Sequence, residues 1–147
     1  MASTSQKPAI LLGRSALQGK AATMLPNPNG GKPGLVFCEM AHLGKLNIRA
    51  DKSGGKIIKS ITGCTFPPAA NKFTTAGERH AVWLGPDEFM IICEAGKDEE
   101  LASAIHTSFS SLHAAVTNIT DALAAFHLKG ATVRHCLLYT SPSPRDS

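Results

Sequence analysis

Hydrophobic and polar positions alternate most cleanly between Leu43 and Asp51. Leu46, Ile48 and Ala50 fall on one side; Lys45, Asn47, Arg49 and Asp51 fall on the other. Period-two alternation predicts a strand with one buried face. Gly54 and Gly55 break it, and Ile57, Ile58 and Ile61 then recur at helical spacing, predicting a short helix that ends at Gly63. Pro67 and Pro68 close that unit. Two apolar runs, Ala81–Leu84 and Phe89–Cys93, flank Gly85-Pro86-Asp87-Glu88 and predict a hairpin whose proline presets the turn. The unbroken run 89–93 suggests a central strand covered on both faces. Asp98 is the expected cap of the next helix, with Glu99 and Glu100 at the positive end of its dipole. Leu101, Ile105, Phe109 and Leu112 form the stripe that helix buries. Ala115–Ile119 and Ala124–Leu128 read as two more strands, and a helix starts near Ala131. The sum is an α+β fold: a mostly antiparallel sheet with helices on one face, close to the split βαβ theme.

The ends differ from the middle. Residues 1–33 mix four prolines with four glycines and carry Lys7, Arg14, Lys20 and Lys32 with no acid. They are expected to be a flexible basic arm, open to proteolysis between Pro26 and Gly34. The arm lacks a secretory apolar centre, because Gly13-Arg14 interrupts Ile10-Leu11-Leu12. Cys136–Ser147 resembles a translated transposase adapter, of the kind left when a sequencing read runs into its adapter. On that reading residues 136–147 are a non-native tail, cutting the last helix after one turn at Ser141-Pro142-Ser143-Pro144. Residues 34–135 are then one incomplete, C-terminally truncated domain.

Charge changes the picture once it is located. The chain of 147 residues has a net charge of +4. All of it sits in residues 1–33, while residues 34–135 balance ten basic against ten acidic side chains. A neutral body with 5% aromatics is a poor nucleic-acid surface. No apolar run reaches the roughly 18 residues of a membrane span. The four cysteines at 38, 64, 93 and 136 show neither C-x-x-C nor zinc-finger spacing, and Cys38, Cys64 and Cys93, in apolar surroundings, read as small buried hydrophobes of a reducing compartment.

Candidate chemistry is sparse. There is no nucleophile elbow, dinucleotide fingerprint or P-loop. Asp87-Glu88 sits on a hairpin tip, where a carboxylate lacks the burial a general acid needs. Arg79-His80 reads as surface, and His106 and His113 are seven apart with no partnering acid. No catalytic, cofactor-binding or metal residue is assigned.

The hairpin segment Ala81-Val82-Trp83-Leu84-Gly85-Pro86-Asp87-Glu88-Phe89-Met90 resembles the sarcosine oxidase gamma subunit family. Leu43–Arg49, Gly77-Glu78-Arg79, Val116–Ala122 and Phe126–Gly130 resemble further family segments in the same order. One departure is Asn118, where the family more often has Asp. The resemblance covers about residues 35–135. It implies a fold related to the first domain of glycine-cleavage aminomethyltransferase and of the tRNA-modifying GTPase family. It further implies a cytoplasmic bacterial heterotetramer with alpha, beta and delta chains that oxidises sarcosine to glycine, forms peroxide and passes the one-carbon unit to tetrahydrofolate. FAD, FMN, NAD and tetrahydrofolate would lie on the other subunits, with this chain an assembly subunit lacking catalytic residues. Two alternatives stand beside it: a stand-alone folate-dependent aminomethyltransferase-like domain, and an RNA-modification accessory module.

Overall fold

The computed structural model describes residues 14–20, 23–27 and 30–140. In chain order the elements are β1 (Thr23–Leu25), β2 (Leu35–Glu39), β3 (Gly44–Arg49), α1 (Lys52–Thr62), β4 (Phe73–Ala76), β5 (Arg79–Gly85) and β6 (Glu88–Cys93). Then come α2 (Asp98–Ser108), β7 (Ala115–Asn118), a 3-10 turn (Thr120–Ala122), β8 (Phe126–Lys129) and α3 (Val133–Thr140). Expectations for the remaining parts of the basic arm and for residues 141–147 lie outside the described residues.

The main sheet has five antiparallel strands in the order β4-β5-β6-β3-β7. β3 lies between β6 and β7, so the β6–α2–β7 crossover spans it, the split βαβ arrangement. The predicted inward set is the core. Leu46, Ile48 and Ala50 are buried, joined by Ala81, Phe89, Ile91 and Cys93 from the hairpin. Ile58 of α1 and Leu101 and Ile105 of α2 cover them, with Phe109 closing the end. Among the described residues no helix packs on the other sheet face, and Met90 and Ile92 are half-buried, so β6 is not covered equally on both sides. A central strand is apolar throughout because its hydrogen-bonded neighbours shield even its open face.

α1 begins where the alternation stops. The Asp51 side chain accepts the Ser53 and Gly54 amides at 2.8 and 3.2 Å. α1 ends at Gly63, whose φ of 80° is left-handed and lets its amide return to the Lys59 carbonyl. α2 starts differently from the expectation. Lys97 holds the cap position without a side-chain bond, and Asp98 is the first helical residue. The Asp98 carboxylate is drawn instead to Asn118 Nδ2, 2.9 Å away on β7.

A second sheet, β1-β2-β8, is also antiparallel. It corrects three expectations. The strand near 124–128 pairs with β2 rather than joining the main sheet. Thr23–Leu25, within the predicted arm, pairs with Leu35–Phe37. α3 runs for eight residues through Thr140, longer than the one turn expected, because the prolines begin only at 142. Gly130 makes the exit from β8 possible: its φ is 141°, and a Cβ there would stand 2.2 Å from the Gly34 carbonyl oxygen. That same oxygen accepts the Thr132 amide at 3.0 Å and its hydroxyl at 2.7 Å.

Candidate functional site

The ionisable residues of the hairpin are held in pairs that tie strands together. Glu88 accepts Asn47 Nδ2 at 2.8 Å and Arg49 at 3.3 Å, joining β6 to β3. Asp87 contributes its backbone, the carbonyl accepting the Ala50 amide at 3.0 Å. Arg79 Nε lies 2.8 Å from Glu94 across the β5–β6 ladder. The hydrogen bond from Arg79 holds the Glu94 carboxyl below its ordinary value, and the same bond pushes the guanidinium up. His80 Nδ1 is 3.0 Å from the Thr75 hydroxyl, and its ring stands edge-on to Phe73. The structure therefore brings the Asp87-Glu88 and Arg79-His80 pairs to one hairpin but gives each a different strand partner.

The remaining candidates are dispersed. His106 and His113 are exposed, and no group of three metal-ligating side chains occurs among the described residues. Cys64 and Cys93 are buried, which pushes both thiols up and makes them poor nucleophiles. Cys38 and Cys136 are half-buried. At the start of α2, burial raises the Asp98 carboxyl, but hydrogen bonds led by Asn118 and Thr120 outweigh it and hold the group below its ordinary value.

α2 lies over β3 and β7, whereas Trp83 is on β5, beyond β6. It is half-buried and lines a groove of about 670 Å³ with Phe66, Pro67, Pro68, Pro86 and Phe89. Phe66 and Phe89 stack there with centroids 3.8 Å apart. On the helix-free face, Phe73 and Leu84 are exposed beside half-buried Val82, Met90 and Ile92. The one residue whose placement the alternation misread is Lys45. It falls on the polar side of β3, yet it is only 5% exposed.

These features define an α+β domain of the split βαβ kind, with the Glu88 carboxylate and the Arg79 guanidinium of its hairpin engaged in strand-to-strand bonds. The model of the sarcosine oxidase, gamma subunit family matches residues 49–144, and the chain belongs to that family. The match takes in the hairpin and runs past residue 135, the boundary expected from the sequence. Sarcosine oxidase is an oxidoreductase, and the family is one of its subunits. Among solved structures the chain is similar to heterotetrameric sarcosine oxidase from Corynebacterium sp. U-96 in complex with pyrrole 2-carboxylate. The identity is 22% and the TM-score 0.66, covering 76% of this chain and 60% of that one. At that identity the likeness is one of fold, and this chain spans about 60% of the other's length. No curated protein matches the chain.

Proposed function

We propose that this chain acts as the gamma subunit of a heterotetrameric sarcosine oxidase, assembling with alpha, beta and delta chains in the cytoplasm. The family match over residues 49–144 carries this reading. The neutral body and the arrangement of the hairpin support it. Glu88, Arg79 and Glu94 are spent on joining strands, and Trp83 lines an open apolar groove. In this role the chain supplies surface rather than chemistry. FAD, FMN, NAD and tetrahydrofolate sit on the other subunits, where sarcosine is demethylated to glycine with peroxide formation.

The experiment is co-expression of this chain, tagged, with the alpha, beta and delta chains, followed by affinity capture and size-exclusion chromatography. The expected result is one peak holding all four chains, with flavin absorbance and sarcosine-dependent peroxide formation. A tagged chain that elutes alone, while the other three assemble and turn over sarcosine without it, overturns the proposal.

A further inference from the structure

Lys45 is buried, and no carboxylate among the described residues stands within ion-pair distance of it. Its amino group donates to the Leu43 carbonyl at 2.6 Å, and none of the ion pairs among the described residues includes it. An ammonium carries three donors, so one carbonyl leaves two unmet by protein. A buried charge without an opposite charge is costly unless something in its surroundings compensates.

A cavity supplies the place for such compensation. Lys45 lines a space of about 300 Å³ between the start of β3 and the segment leading into β8. Arg14 and His42 line it too, and neither forms an ion pair among the described residues. Met40 and Leu123 add apolar wall. At roughly 30 Å³ per water, that is room for a ligand of a few carbons with an acidic head. Two carboxylates share the lining, Glu39 and Asp121. Glu39 is engaged: its two oxygens accept the Ala16 and Leu17 amides at 2.9 and 2.8 Å, which fixes the turn that follows Arg14. Asp121 is exposed. Thr120 is committed to the strand, its hydroxyl oxygen accepting the Lys45 amide at 3.0 Å. His42 holds a left-handed backbone, φ 58°, which a residue other than glycine adopts at a cost and which recurs where a side chain must be aimed at a site.

We propose that this cavity binds a compact oxyanion, a carboxylate or a phosphate, with Lys45 at its base, Arg14 at its mouth and Met40 and Leu123 against the ligand's carbon body. The site lies apart from the hairpin, and its occupancy is read on this chain, independently of assembly with any partner.

Isothermal titration of the 147-residue chain with butyrate and with inorganic phosphate, at constant ionic strength in chloride, tests this. The expected result is saturable binding of at least one of the two, and the tighter arm identifies the head group. Lys45→Met weakens that binding about tenfold or more, the loss of one charge-assisted contact. Lys45→Met also melts no lower than the wild type without anion, because it removes an uncompensated charge and keeps the stem. Arg14→Ala, on an exposed residue that leaves the fold intact, weakens binding as well. Absence of saturable binding by both anions, or an affinity unchanged from the wild type in both Lys45→Met and Arg14→Ala, overturns the proposal.

Discussion

At the scale of single residues, the account rests on which polar groups are paired. Arg79 and Glu94 form the pair with the clearest pH signature. The Glu94 carboxyl titrates below its ordinary 4.5 in the folded chain. Its contribution to stability is therefore complete above about pH 5 and is lost as the pH falls through the lower folded value. Both side chains are partly solvent-exposed, so the contribution is about 0.5 kcal/mol. Glu94→Gln should lower the melting temperature slightly at neutral pH and make the loss of stability below about pH 5 shallower than in the wild type; an unchanged acid profile in thermal melts would contradict the assignment. Trp83 gives a second residue-level test. A fully buried tryptophan truncated to alanine costs about 3–5 kcal/mol. Trp83 is half-buried in an open groove, so Trp83→Ala should cost about 2 kcal/mol by denaturant unfolding. The cysteines give a third. At mildly alkaline pH a thiol reagent should modify Cys38 and Cys136 quickly and leave Cys64 and Cys93 untouched until the chain unfolds.

At the scale of elements, local chemistry explains the boundaries. Asp51 caps α1 through two amides, and Asp51→Ala should cost about 1 kcal/mol. Gly130→Ala should do more, since its Cβ would collide with the Gly34 carbonyl that ties the β8–α3 connection to the start of β2. Amide exchange of residues 126–129 and 35–39 in that variant should rise sharply, while the five-stranded sheet stays protected. The same contrast shows what was legible beforehand. β3, α1, the hairpin and α2 could be read because periodicity and turn residues agree over a whole element, as with Leu46, Ile48 and Ala50 or Gly85-Pro86-Asp87. β4 could not, since a four-residue edge strand with exposed Phe73 has no buried face to imprint an alternation. β2 is defined by pairing with β8, a contact between segments about ninety residues apart, and β1 only by pairing with β2. Asp98 was misplaced by one position because its carboxylate answers Asn118 across the fold rather than its own helix end. Lys45 was misread for a related reason: alternation reports which side of a strand a residue takes, and cannot report what chain later covers that side.

At the scale of the whole molecule, charge and covering are unevenly distributed. Two helices cover one face of the main sheet; the other face, the groove beside Trp83 and the exposed side chains Phe73 and Leu84 are left open. Apolar surface of this kind marks an interaction protein when it is contiguous. The motif order from Leu43 to Gly130 was sufficient to find the family, because the hairpin sequence is both a folding signal and a family signature. Which surfaces meet a partner is written in no single segment, since each surface combines strands from distant parts of the chain. The central claim is that this chain is an integral, surface-supplying member of a sarcosine oxidase. Native mass spectrometry of the complex purified through a tag on one of the other chains tests it most directly. The account predicts a single species that includes one copy of this 15.4 kDa chain, with flavin released only from the other subunits on dissociation. A complete, active oxidase lacking the chain, or flavin retained by the dissociated chain itself, would contradict it.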